Sequence, residues 1–89
     1  MNLDVTNDAV KFVQCLPPKQ FKQVWGKIIL LMTGHESSDI IKMKGYPYYR
    51  TDVGEYRIVF LIEDNTLKIA EIGKRNDDEV YKAVARKRV

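Results

Sequence analysis

The chain has one cysteine and one histidine among 89 residues, and this scarcity excludes several kinds of site. A lone Cys15 forms no internal disulfide, so the cysteine content does not indicate an oxidising compartment. Cys15 lies in a short apolar, periodic segment, which predicts a small buried side chain. Cys15 and His35 match no zinc-ligand spacing, and a glycine-rich phosphate loop is absent as well. We therefore expect no metal and no cofactor.

Long apolar runs are also missing. The longest, Ile28–Met32, has five residues, whereas a membrane-spanning helix needs about 20. Met1–Asp4 contains neither a basic region nor an apolar signal core, so we expect a cytoplasmic protein with no membrane partner. The length predicts a single domain over residues 1–89, and 45% hydrophobic with 30% charged residues argues against disorder.

The net charge of +3 is unevenly distributed. Residues 1–41 carry four lysines and four acidic residues, whereas residues 42–89 carry eleven basic and eight acidic residues. All five arginines and all five tyrosines lie in the second part. Arginine suits phosphate contacts and tyrosine suits base stacking, although both residue types also occur commonly on sheet surfaces.

The first part of the chain has the periodicity of two helices. Apolar residues recur at helical spacing from Ala9 to Leu16 and again from Phe21 to Met32. Thr6-Asn7-Asp8 offers N-caps for the first helix, Pro18 suits the first turn of the second, and Gly34 suits its C-cap. We expect the two helices to form a hairpin.

The second part predicts a small sheet and a last helix. A short strand is expected at Leu3–Val5. Three further strands are expected at Tyr48–Val53, Tyr56–Ile62 and Leu67–Gly73, joined by tight turns. Tyr56–Ile62 is apolar on both faces, which predicts a central position. Asn76 caps the last helix. The predicted fold class is α+β: an N-terminal helical hairpin packed on a small antiparallel sheet, with a C-terminal helix.

Arg57, Arg75 and Tyr81 are the residues in which chemistry is most readily placed. Arg57 lies mid-strand between apolar neighbours, so it needs an open face or an acidic partner, for which Asp52, Glu55 and Glu71 are candidates. Arg75 just precedes the last helix, where it could bind a phosphate or pair with Asp77 or Asp78. Tyr81 lies one turn further on and could alternatively pack on the sheet.

Such a set suits RNA cleavage by attack of a 2′-OH on the adjacent phosphate. Arginines would stabilise the extra negative charge that develops on the phosphoryl oxygens. A group of suitable pKa must also move the protons, and no His–Glu pair is available for this. The chain would depend on Lys, Tyr or Asp, which predicts slow catalysis alone or completion of the site by a partner.

Several blocks of the sequence resemble the RelE branch of the RelE/ParE toxin superfamily. They are Lys44–Pro47, Tyr49-Arg50, Val53–Phe60, and Ile72–Arg75 followed by Val80-Tyr81. The resemblance covers nearly the whole chain. It implies a microbial-RNase-like fold and cleavage of mRNA in the ribosomal A site, beside 16S rRNA. It also implies a cognate antitoxin that wraps the toxin.

The resemblance further implies roles for three residues by position. Arg57 matches the family's central-strand arginine, which would stabilise the phosphate. Arg75 matches the arginine of the Gly-Lys-Arg block, which would stabilise the transition state or assist the leaving group. Tyr81 matches a C-terminal tyrosine, which would orient the nucleotide or stack on a base.

Two positions depart from RelE. Arg50 and Asp52 stand where RelE has lysines, and the first of those lysines is assigned to proton abstraction. Arginine is too basic to be an easy general base. Asp52 could be the base itself, or could pair with an arginine and weaken activity. Lys42 or Lys44 is expected to supply the missing positive charge, and both are expected, with Lys74, to contact RNA.

Three other functions fit the same residues. A ParE-like toxin shares this fold but inhibits DNA gyrase and cuts no RNA. A catalytically inactive module would act only through its antitoxin, for instance at an operator, and Asp52 favours this reading. A general RNA-binding domain is the third.

Overall fold

Two helices and a five-stranded sheet form the part of the chain that the structure, a computed structural model, describes: residues 1–34 and 40–75. The elements are β1 (Asn2–Val5), α1 (Asn7–Gln14), α2 (Pro18–Met32), β2 (Ile41–Lys42), β3 (Tyr49–Val53), β4 (Tyr56–Glu63) and β5 (Thr66–Lys74). The α+β class is thereby confirmed. The predicted last helix with its cap Asn76, as well as His35 and Tyr81, lies outside the described residues.

The strands form one sheet in the order β1-β5-β4-β3-β2. The strand β4 is central, as its two apolar faces predict. Neighbours pair antiparallel except β1 and β5, which are parallel, with Asn2 opposite Thr66. The sheet is therefore mixed, and the prediction of an antiparallel sheet is wrong at this edge. Turn signals specify only hairpins between consecutive strands, whereas β1 pairs with a strand from the far end of the described chain.

Local turn chemistry explains the two hairpins. Asp64 and Asn65 both have positive φ, at 53° and 56°, as a two-residue type I′ turn requires. Gly54, with φ of 57°, lies in the turn between β3 and β4. Both turns were expected from the sequence. The strand β2 was not expected, because two residues are too few to show a periodic pattern.

Thr6 fixes the start of α1 to the sheet. Its hydroxyl accepts a hydrogen bond from the backbone N–H of Ala9 at 3.3 Å and donates one to the carbonyl of Ala70 at 2.9 Å. The helix α2 begins at Pro18, and Gly34 follows its end with φ of 78°. The arrangement of α1 and α2 as a hairpin stays a prediction. Neither helix has the length and apolar content to cross a bilayer.

Both helices contribute to one core on one face of the sheet. Its buried residues are Ala9, Val13, Val24, Ile28, Leu31, Tyr56, Ile58, Phe60, Leu67, Ile69 and Ile72. Cys15, predicted to be buried, is exposed. It is two residues beyond the buried Val13, about 200° further around a helix, so it points away from the core.

The hydroxyl of Thr51 is a buried polar group, and replacing it by an apolar group should stabilise the protein. Its side chain is 1% exposed, and its hydroxyl has no hydrogen-bond partner within residues 1–34 and 40–75. We expect Thr51→Val, which keeps shape and β-branching, to raise the free energy of unfolding by about 1 kcal/mol. Urea denaturation measures this. Thr66→Val is the control, since the Thr66 hydroxyl donates to the Asp64 carbonyl; an equal gain in both variants would contradict the explanation.

Candidate active site

Arg50, Asp52 and Arg57 lie on the face of the sheet opposite the one on which α1 and α2 pack. Asp52 is opposite Arg57 and Arg50 is opposite Val59 in the pairing of β3 with β4. Residues directly opposite one another share a face, as do residues two apart on a strand. Val59 packs in a second, smaller cluster separate from the helical core. The three charged residues are thus on the second cluster's side.

Asp52 and Arg57 form a two-point ion pair on this face. The Arg57 Nε donates to Oδ1 of Asp52 at 2.8 Å, and its Nη2 donates to Oδ2 at 3.3 Å. The side chain of Arg57 is 14% exposed and that of Asp52 is 31% exposed. Of the three acidic partners suggested by the sequence for Arg57, Asp52 is the one shown to form this pair. A planar guanidinium binds a phosphate in the same two-point geometry.

Three arginines act on Asp52. The hydrogen bond from Arg57 lowers the pKa of Asp52 most, partial burial opposes this, and the charges of Arg57, Arg50 and Arg75 lower it further. Arg75 continues β5 alongside the turn before β4, because its backbone N–H donates to the Glu55 carbonyl at 2.9 Å. The sequence-predicted Arg50, Arg57 and Arg75 therefore all lie within electrostatic reach of Asp52. Among these four groups the positive charges outnumber the negative one, which suits an anionic ligand.

This ion pair makes stability depend on pH. The pKa of Asp52 is lower in the folded protein than its ordinary value of 3.8, so the charged carboxylate stabilises the fold above that value. The stabilisation is lost as pH falls through the lower folded-state pKa. We expect Asp52→Asn to lower the free energy of unfolding by about 1 kcal/mol at pH 7, a modest value because solvent partly screens the pair. The loss should be much smaller at pH 2, where protonation of Asp52 already weakens the pair.

Urea denaturation of both proteins between pH 2 and 7 measures this effect. Glu63→Gln is the matched control, because it breaks the more exposed pair between Glu63 and Lys68 at 3.0 Å. A constant difference between Asp52→Asn and the original protein across the whole range would contradict the linkage.

The three lysines expected to contact RNA are placed differently. Lys42 is opposite Tyr49, and its Nζ lies 5.9 Å from the centre of that ring. Tyr49 stacks in turn on Phe60 of the helical core, so Lys42 is on the helix side. Lys74 is opposite the core residue Tyr56, which places it on that side too. Lys44 is exposed in the loop between β2 and β3.

Tyr46 and Tyr48 are on the same side of the sheet as the arginines, and neither was expected from the sequence to be a site residue. Both are partly buried against the cluster of Met43, Val59 and Ala70. Their spacing contained a usable signal, since Tyr48 is two residues before Arg50 and shares its face. The two rings provide aromatic surface beside the arginines, of the kind on which nucleobases stack.

Glu71 also lies on this face, buried to 8% exposure and opposite Val59. A register shift between Val59 and Phe60 interrupts the pairing of β4 with β5. The strand alternation breaks there, because Ile69 and Ile72 both face the helical core although they are three residues apart. The period of two therefore could not assign Glu71 to a face. Within the described residues, no three His, Cys, Asp or Glu side chains lie close enough to share a metal ion.

Comparison with solved structures identifies the fold. A mutant of the E. coli toxin RelE in the free state matches with a TM-score of 0.76 at 22% identity, covering 99% of this chain and 97% of that one. The RelB–RelE antitoxin–toxin complex from Methanococcus jannaschii matches with a TM-score of 0.68 at 25% identity, covering 89% of this chain and 95% of that one. The YoeB–YefM complex from Staphylococcus aureus matches with a TM-score of 0.69 at 23% identity, covering 84% of this chain and 97% of that one. No family model and no curated protein sequence matches.

The chain therefore has the RelE toxin fold, and the resemblance seen in its sequence blocks is confirmed at the level of the fold. Of the site residues predicted from the sequence, Arg50, Asp52 and Arg57 lie on one face of this fold, and Arg75 acts on Asp52 electrostatically. Tyr81 lies outside the described residues, and its place beside the arginines stays a prediction.

Proposed function

We propose that this protein is the toxin of a type II toxin–antitoxin system and an endoribonuclease that cleaves mRNA in the ribosomal A site. The observation that supports this most is that Arg50, Arg57 and Arg75 all act on one carboxylate, Asp52, on the sheet face of a RelE fold opposite α1 and α2. Such a group of fixed cations suits a phosphate that gains charge during reaction.

In the proposed reaction, the 2′-oxygen of a nucleotide bonds to its own 3′-phosphorus while the bond from phosphorus to the 5′-oxygen breaks. The products are a 2′,3′-cyclic phosphate and a 5′-hydroxyl. Arg57 and Arg50 bind the non-bridging oxygens, and Arg75 stabilises the departing 5′-oxygen. Tyr81 orients the nucleotide. The lowered pKa of Asp52 makes its carboxylate a weak base, so we propose that a group of the bound ribosome accepts the 2′-hydroxyl proton, while the departing 5′-oxygen takes a proton from solvent.

A cognate antitoxin is the proposed protein partner, and the cytoplasm is the proposed location. Several neighbours are toxins in complex with antitoxins, from E. coli, Methanococcus jannaschii and Staphylococcus aureus. Large apolar side chains on the surface of α2 also suit a protein partner: Ile29 is 56% exposed and Leu30 is 50% exposed.

A second candidate is a catalytically inactive module that acts through its antitoxin. The ion pair between Asp52 and Arg57 favours it, because the carboxylate occupies the guanidinium that the reaction would use. Binding to ribosomes without cleavage of their mRNA would be its mark. Inhibition of DNA gyrase is the activity expected of a ParE-like toxin.

The test uses purified protein with mRNA-programmed ribosomes, with the same mRNA alone, and with DNA gyrase in a supercoiling assay. We expect cuts within A-site codons on ribosomes, little cutting of free mRNA and unaffected supercoiling. Intact mRNA with inhibited supercoiling would replace the proposal by the gyrase alternative, and intact mRNA on ribosomes that still bind the protein would replace it by the inactive module.

A further inference from the structure

We infer that Asp52 is an internal competitor of phosphate, which holds the Arg57 guanidinium in the free protein and must be displaced when RNA binds. This inference rests on the proposed function only in naming an RNA phosphate as the ligand. It assigns Asp52 a positioning and gating role in place of a role as general base.

The geometry of the pair is that of a bound phosphate. Two carboxylate oxygens accept from Nε and Nη2 of Arg57 at 2.8 and 3.3 Å, which is how two phosphate oxygens would accept from the same edge. Of the two side chains, Arg57 is the more buried, at 14% exposure against 31% for Asp52. The guanidinium is thus the fixed member of the pair, and the carboxylate is the member with room to move.

The charges around the pair explain why an internal anion is useful. Arg50 and Arg75 act on Asp52 together with Arg57. Loss of the carboxylate would remove one of the negative charges that offset the repulsion among these cations in a partly buried site, which is unfavourable. Asp52 relieves this repulsion when no RNA is present. An incoming phosphate can take over the same contacts, and it then competes with Asp52 for them.

Removing the carboxylate should therefore tighten binding of a nucleic-acid phosphate. The probe is a fluorescein-labelled six-nucleotide 2′-O-methyl RNA, which lacks the attacking hydroxyl and cannot be cleaved. We expect Asp52→Asn to bind it roughly tenfold more tightly at 50 mM salt, because one charge-assisted contact of Arg57 becomes available. The slope of log K against log salt should steepen by about 0.7, as for one more neutralised phosphate on a single strand.

Two controls separate this effect from a general change of charge. Glu63→Gln also removes one negative charge and breaks an ion pair, that with Lys68 at 3.0 Å, but it lies near the other end of β4. It should bind the probe nearly as the original protein does. Arg57→Ala provides the second control, because the gain from Asp52→Asn should disappear in an Arg57→Ala background.

The outcomes are distinct. A gain in Asp52→Asn that requires Arg57 and is absent in Glu63→Gln supports the inference. An equal gain in Glu63→Gln, a gain that persists without Arg57, or weaker binding by folded Asp52→Asn overturns it. Circular dichroism checks folding, and Asp52→Ser replaces Asp52→Asn if the latter does not fold. Because the probe cannot be cleaved, a protein that binds as expected but leaves ribosomal mRNA intact would refute the nuclease proposal and retain this one.

Discussion

Replacing Arg75 by alanine should lower the rate of mRNA cleavage on ribosomes by a factor of about 10²–10³, the usual cost of losing one preorganised group that stabilises a transition state. The fold should be unaffected. Arg75 is exposed, and its contact with the Glu55 carbonyl is made by the backbone N–H, which alanine retains. Single-turnover cleavage on programmed ribosomes, with a thermal melting curve for each protein, measures both parts of the prediction.

Lys22→Ala is the matched control for Arg75→Ala. It removes one positive charge from an exposed position of α2, on the face of the sheet opposite the arginines. We expect cleavage close to that of the original protein. Equal losses in the two variants would show that only net charge matters, and a large drop in melting temperature for Arg75→Ala would return Arg75 to a structural role.

The largest effect on stability is expected for Ile58→Ala, which should lower the free energy of unfolding by about 3 kcal/mol. Ile58 is fully buried in the central strand β4, between Thr51 of β3 and Ile72 of β5. Strands on both sides hold its surroundings, so the cavity left by the lost carbons cannot collapse fully. For a small domain with about 5–15 kcal/mol in total, this is a large fraction.

Ile62→Ala tests whether position and not residue type determines this loss. Ile62 is in the same strand but is 51% exposed, so its truncation should cost less than about 0.5 kcal/mol. Urea denaturation of the two variants under one set of conditions gives the comparison. Similar losses at both positions would mean that the core is not centred on β4 as described.

Sequence patterns predicted the parts of this fold that local interactions determine. The N-cap at Thr6, the start of α2 at Pro18 and the turn at Asp64-Asn65 each involve residues within a few positions of one another. The parallel pairing of β1 with β5 was not predictable in this way. It depends on contacts between residues far apart in the chain, and no local turn or period specifies its direction.

The site was predictable to a similar extent. The resemblance singled out Arg50, Asp52 and Arg57 as site residues, and the structure adds the strand register that places them on one face. The sequence could not choose between Asp52 and the other acidic partners of Arg57, because register across two strands decides that. It also missed the burial of Glu71, because the irregularity in the pairing of β4 with β5 interrupts the period on which the reading depended.

The departures at Arg50 and Asp52 acquire a common explanation from the geometry. Arg50 adds a third cation to the site, and Asp52 supplies a negative charge that offsets part of the repulsion among the three. In the proposed toxin this would make the free site a weaker phosphate binder than its arginines alone suggest. The ribosome, which presents RNA at high local concentration, would then be needed to displace the carboxylate.

The most direct test of the central claim is induced expression without any antitoxin, with primer extension on a translated mRNA, comparing the original protein with Arg75→Ala. The proposed function predicts cuts inside the reading frame that disappear in Arg75→Ala and do not occur in an untranslated copy of the same message. Growth arrest with intact mRNA, or cuts that persist unchanged in Arg75→Ala, would contradict it.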